Sequence, residues 1–124
     1  MYLTIDATDE EEFIFYYYKD QKWTKVVRSH EKAGDLLKQI DVLLQSLGFS
    51  LSDVSGLAVL VGQGRFTATR VAVTIANTLA FACHIPVIAV TELDLDEVAR
   101  RLAVQPLGQW ASAMYSGEAR VGGA

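Results

Sequence analysis

From Val71 to His84 the chain carries no Asp, Glu, Lys or Arg. On a wheel of about 100° per residue, Val71, Ala82, Ile75, Ala68, Leu79, Ala72, Cys83, Ala76, Thr69, Ala80, Val73 and Phe66 form one arc about 220° wide. A helix resting on its own sheet needs a stripe of little more than about 100°, so about half of this arc must be covered by something else. Ala68, Ala72, Ala76 and Ala80 recur every fourth residue, a smooth ridge that another helix can approach closely. Two covers are open: another helix of the same chain, or a partner subunit. The second is favoured, because the first helix offers only one apolar stripe and the sheet claims it.

The rest of the chain supplies that sheet. Tyr2 to Asp6 alternates as a first strand, and the aromatic run Phe13 to Tyr18 reads as a second, apolar on both faces. Trp23 to Arg28 follows the polar Lys19-Asp20-Gln21-Lys22, which predicts an antiparallel hairpin. From about Glu31 the period becomes helical, with Leu36, Leu37, Ile40, Leu43, Leu44 and Leu47 on one stripe, Ser29 able to cap the start and Gly48 the end. Gly56 to Val61 and Pro86 to Val90 are short, nearly unbroken apolar runs, as in strands buried on both faces. Asp94 to Val104 is a third helix with Leu95, Val98, Ala99 and Leu102 on one face. The predicted order is β1-β2-β3-α1-β4-α2-β5-α3, an α/β fold on a mixed five-stranded sheet. Residues 1–104 form the lobe and 105–124 a loop-like tail with a fraying end.

Composition narrows the function. With 124 residues, 51% of them apolar and 21% charged, the chain can bury a core without disulfide or metal. The net charge of -4 and the lack of a basic stripe argue against direct nucleic-acid binding. No leader-like segment or membrane-spanning run is present, so a cytoplasmic protein is expected. Cys83, the single cysteine, reads as a small buried hydrophobe. His30 and His84 lie far apart with no ligand spacing around them, so no metal site is expected, and His84 reads as a helix-dipole partner.

Two turns could carry chemistry. Gly62-Gln63-Gly64 joins a buried strand to a helix start, where backbone amides and helix dipole can face an anion. It lacks the third glycine of a dinucleotide fingerprint and the Gly-Lys-Ser/Thr ending of a P-loop, which favours a structural tight turn. Arg65 and Arg70 could meet an anion there or pair with local carboxylates. Asp6-Ala7-Thr8 leads into Asp9, Glu10, Glu11 and Glu12, whose charge would repel a triphosphate. Gly62 to Phe66 contains no serine or cysteine, so no nucleophile elbow is formed.

Arg28 to Leu93 resembles the amino-terminal half of the TsaB family, a bacterial subunit for making threonylcarbamoyladenosine in tRNA. Arg28-Ser29-His30, Leu36-Leu37 and Ile40-Asp41-Val42-Leu43-Leu44 look like the family's first helix, with Gly48 at its end. Gly62-Gln63-Gly64-Arg65-Phe66-Thr67-Ala68-Thr69-Arg70 looks like its Gly-Pro-Gly-Ser-Phe-Thr-Gly-x-Arg motif. Asp6-Ala7-Thr8 resembles its opening Asp-Thr-Ala/Ser, and Pro86 to Leu93 its Pro-x-x-Gly-Val-Ser-Ser-Leu. The departures are Gln63 for proline, Arg65 for serine and Ala68 for glycine.

The resemblance implies one lobe of an actin/hexokinase-like (ribonuclease H-like) fold, where family members have two, and nucleotide in that superfamily sits between lobes. A lone lobe with an acidic first hairpin is expected to be no ATPase, kinase or glycopeptidase, and to need no cofactor. It further implies a non-catalytic scaffold that pairs with a TsaD-like catalytic subunit, with a TsaE-like protein as further partner, and that dimerises with itself through the same surface. The residues expected there are Leu36, Ile40 and Leu43 of the first helix and Ala68, Thr69, Ala72, Val73, Ala76 and Ala80 of the second. Gly62, Gly64, Phe66, Thr67 and Arg70 would set the motif turn, and Arg65 would be its anion contact. Two alternatives stand beside this reading: a stand-alone homodimeric interaction domain, and a small nucleotide- or anion-binding enzyme using the glycine turn.

Overall fold

A computed structural model describes residues 1–9, 11–29, 36–62, 66–109 and 111, with backbone alone for 66–68. Its order is β1 (Tyr2–Asp6), β2 (Glu12–Lys19), β3 (Lys22–Ser29), α1 (Leu36–Ser46), β4 (Gly56–Leu60), α2 (Phe66–Cys83), β5 (Val87–Val90) and α3 (Leu95–Val104), as the sequence predicts. The strands lie in the order β3-β2-β1-β4-β5. β1 is antiparallel to β2 and parallel to β4, and β4 is parallel to β5. α2 bridges the parallel pair β4 and β5, and α1 returns the chain from the β2–β3 hairpin to β4, parallel to β1.

Strand alternation sorts the side chains into two layers. Leu3, Ile5, Phe13, Phe15, Leu57, Val59 and Val87 face α1 and α2 and join Leu36, Ile40, Leu43, Leu44, Ala72 and Ala76 in the main core. On the opposite face Ala58, Ile88 and Val90 meet Val98 and Leu102 of α3 in a smaller cluster, edged by Tyr2, Trp23 and Leu60. Gly56 is required where the layers close, since a Cβ there would stand 3.0 Å from the Tyr2 ring and 3.3 Å from Leu102. Tyr2 stacks on Tyr18 at 5.7 Å, and Tyr18 meets Trp23 at 5.0 Å, an aromatic row across three strands.

The hairpin between β2 and β3 turns on Asp20 and Gln21, whose φ values of 56° and 62° suit a two-residue type I′ turn made without glycine. Helix α1 is amphipathic as expected, but Leu37 lies at its rim, 50% exposed, and Val42 is 42% exposed. Ser29, read as the α1 cap, is instead the last residue of β3, paired with Glu12. The expected first turn and His30 lie outside the described residues. At the start of α3, Asp94 accepts a hydrogen bond from the Glu97 amide at 3.2 Å, a true cap.

Helices α1 and α2 end in the same way. The Phe49 amide donates to the Leu44 carbonyl at 2.8 Å with Gly48 at φ 79°, and the Ile85 amide donates to Ala80 at 3.0 Å with His84 at φ 57°. Both are Schellman closures, so His84 holds a left-handed position that suits glycine, beyond the dipole role read from sequence. We expect His84→Gly to stabilise the fold by about 0.5–1 kcal/mol and Gly48→Ala to weaken it by about 1 kcal/mol, read as opposite shifts of the urea midpoint. Among the described residues no helix is long and apolar enough to cross a membrane.

Candidate functional site

The small residues of α2 decide which way the helix faces. Thr69, Ala72, Val73, Ala76 and Ala80 are between 0% and 8% exposed, because a ridge of short side chains lets α2 lie close on β4 and β5. Leu36, Ile40 and Leu43 of α1 are at most 1% exposed in the same core. In the single chain these eight residues are already covered, which leaves them little surface to offer a partner. The side chain of Ala68 lies outside the described residues.

The buried stripe of α2 is about 100° wide, the width one sheet can cover. The rest of the apolar arc, Val71, Ile75 and Leu79, is half-buried, and Ala82 is exposed. Ile75 and Leu79 touch the main core only at its margin. These residues fall at helical spacing and carry no charge, and Leu37 and Val42 add exposed apolar surface to α1 in the same layer. Sequence reasoning placed all four α2 residues on the arc but selected the alanines.

The second candidate lies at the carboxyl ends of β1, β4 and β5, the usual ligand crevice of an open α/β sheet. Thr8, Leu60, Val61, Gly62, Thr91 and Glu92 line a cavity of about 400 Å³ there. Gly62 has φ 104°, a conformation that requires glycine at this turn. Gly64 and Arg65 lie outside the described residues, as do the side chains of Phe66 and Thr67, and Arg70 is exposed. The Asp6 carboxylate accepts from the Thr8 amide at 2.9 Å and the Thr8 hydroxyl at 2.6 Å. Asp9 accepts from the amides of Glu11 and Glu12 at 2.7 and 3.1 Å. Both carboxylates thus cap their own turn. Burial, and secondly the charge of Asp6, raises the Tyr16 phenol above its ordinary pKa.

Thr4 and Thr69 carry buried hydroxyls without a hydrogen-bond partner, both on the walls of the core. Among the described residues no three His, Cys, Asp or Glu side chains group to hold a metal. Cys83 is half-buried, less enclosed than expected, beside His84 and Pro86 in a surface cavity. Asn77 was not foreseen. Its carboxamide accepts from the Ala111 amide at 2.8 Å and donates to the Ala111 carbonyl at 3.0 Å. The available signal was the one carboxamide in a helix whose other polar residues are threonines and Arg70.

Comparison with known proteins assigns the family. The model of the family described as "TsaD: tRNA N6-adenosine threonylcarbamoyltransferase" matches residues 24–114. The tRNA threonylcarbamoyladenosine biosynthesis protein TsaB of Haemophilus influenzae is 41% identical over 66 residues, 53% of this chain and 27% of that protein. The structure of YeaZ from Pseudomonas aeruginosa superposes with a TM-score of 0.62 at 31% identity, covering 73% of this chain and 44% of that one. A second Pseudomonas aeruginosa structure, of a protein described as similar to the peptidase YeaZ, gives a TM-score of 0.64 at 30% identity, over 82% and 49%. The chain spans less than half the length of these relatives. Strand order, helix placement and these matches agree on one actin-like lobe, and the chain belongs to the TsaD (tRNA N6-adenosine threonylcarbamoyltransferase) family as a divergent counterpart of the TsaB (YeaZ) amino-terminal lobe.

Proposed function

We propose that this lobe is a non-catalytic, TsaB-like scaffold subunit in the formation of threonylcarbamoyladenosine in tRNA, and that it docks on a TsaD-like catalytic subunit in the cytoplasm. The observation that carries the reading is the uncharged strip of Val71, Ile75, Leu79 and Ala82, left partly open after the alanine ridge has met the sheet. The docking surface is therefore this outward side of α2, with Leu37 and Val42 of α1, rather than the buried ridge. A second copy of the chain uses the same strip when the partner is absent, and a TsaE-like protein completes the assembly.

The non-catalytic role rests on the first turn, where Asp6 and Asp9 are spent on local amides and a hydroxyl in a run of acidic residues. The phosphates of a nucleotide would meet net negative charge there. The alternative of a stand-alone homodimer differs only in its partner. An anion-binding enzyme at the glycine turn would need Arg65 and Gly64 to gather a ligand against Glu92 and Thr8.

Size-exclusion chromatography with light scattering, on the chain mixed with a TsaD-like subunit, tests the proposal. Co-elution is expected, and Ile75→Lys should weaken it at least about tenfold, since the lysine stem can follow the surface of the free lobe while its ammonium would be trapped in the complex. A variant that folds and co-elutes unchanged removes the strip from the account.

A further inference from the structure

The β2–β3 turn fixes which backbone groups of β3 look outward. In a two-residue hairpin the flanking pair, here Lys19 and Lys22, exchanges hydrogen bonds, and bonded and non-bonded pairs then alternate along the ladder. Trp23, Lys25, Val27 and Ser29 therefore turn their N–H and C=O groups away from β2. β3 ends the sheet on that side, and among the described residues no backbone group from elsewhere bonds to these four. The strand is thus an open edge of 8 residues, long enough to template another strand.

The charge of this edge has one sign. β3 holds three of the chain's 11 Lys and Arg, namely Lys22, Lys25 and Arg28, and none of its 15 Asp and Glu, although the chain as a whole carries -4. Across the ladder they meet Lys19, Tyr16 and Phe13, and among the described residues none of the three forms an ion pair. Alternation sets Lys22 and Arg28 on the face of Val26 and the main core, and Lys25 on the face of Trp23 and α3. Such cations keep copies of the chain apart: a second β3 paired antiparallel about the centre of the strand would set the partner's Lys25 opposite or diagonal to this one. The same cations select a strand of opposite charge. They straddle the sheet rather than line one face, which suits cross-strand pairs on both sides of an added strand and not the backbone of a nucleic acid.

We propose that the free edge of β3 receives an extended acidic segment of another protein, added to the five-stranded sheet as a further strand, with Asp or Glu at every third position against Lys22, Lys25 and Arg28. α2 packs on β4 and β5, at the other end of the sheet, so this edge is separate from the strip assigned to the TsaD-like subunit.

The probe is the synthetic peptide Glu-Val-Thr-Glu-Val-Thr-Glu, capped at both ends, titrated into the full chain and followed by NMR. At about ten times its Kd it should slow exchange of the Trp23, Lys25, Val27 and Ser29 amides at least about tenfold, while those of Thr24, Val26 and Arg28, already in the ladder, change little. Lys25→Glu, at an exposed position, should weaken binding at least about tenfold. The same peptide N-methylated at every amide keeps its charge but cannot donate to a ladder, and it should not bind; nor should a peptide with lysine in place of glutamate. No slowing of the four amides, or slowing that Lys25→Glu leaves intact, overturns the proposal. Equal binding of the N-methylated peptide would make β3 a charged surface rather than an edge, and the same slowing by oligouridylate would assign its cations to nucleic acid; either overturns it. Should Lys25→Glu fail to fold, Lys22→Glu, also exposed, must give the same loss or the proposal falls.

Discussion

Ala76→Asp is expected to unfold the lobe or cost it about 3–5 kcal/mol, read as a collapse of the urea transition. Ala76 is 0% exposed and belongs to the main core. A carboxylate there has no described cation to pair with, and its desolvation penalty is comparable to much of a domain's total stability of about 5–15 kcal/mol. The result separates two accounts of α2. A ridge that served as a docking surface would tolerate the aspartate in the free chain and lose only the partner. A ridge that is core loses the fold, so a stable Ala76→Asp lobe would restore the alanines to the interface.

Phe15→Ala is expected to cost about 3–5 kcal/mol, equivalent to a fall in melting temperature of roughly 10–20 °C. Phe15 is 0% exposed on β2, opposite Ile5 of β1 and Val26 of β3, and its ring lies 6.3 Å from that of Phe13. Phe15 is flanked by paired strands on both sides, so the vacated volume is expected to remain a cavity. Val27→Ala is the internal control: Val27 is 44% exposed on the neighbouring strand, and its loss should stay within about 0.5 kcal/mol. Equal losses for the two variants would mean that the assignment of sheet faces is wrong.

Most of the fold was legible because its elements repeat at characteristic periods. Alternation in Tyr2–Asp6, unbroken apolar runs in β4 and β5, and the leucine stripe of α1 each admit one element, and short connections leave few ways to join them. The orientation of α2 was not legible, for a physical reason. A wheel gives angles but not which part of a 220° arc, about twice the width one sheet covers, meets the sheet. The small residues took that place because they let the helix approach most closely, which pushed Ile75 and Leu79 to the flank where large side chains still gain partial burial. Nor could the sequence reveal that His84 does a glycine's work, because the left-handed closure depends on the following Ile85 amide reaching Ala80. The pairing of Asn77 with Ala111 was hidden by 34 residues of separation.

The central claim is that the partly open side of α2, and not its alanine ridge or the glycine turn, receives the catalytic partner. Hydrogen–deuterium exchange on the lobe with and without a TsaD-like subunit tests it most directly. The account predicts slower exchange in α2 from Val71 to Ala82 and in α1 around Leu37 and Val42, with β2 and β3 unchanged. Protection confined to the β2–β3 hairpin or to the Gly62 turn, or no protection on adding the subunit at saturating concentration, would contradict it.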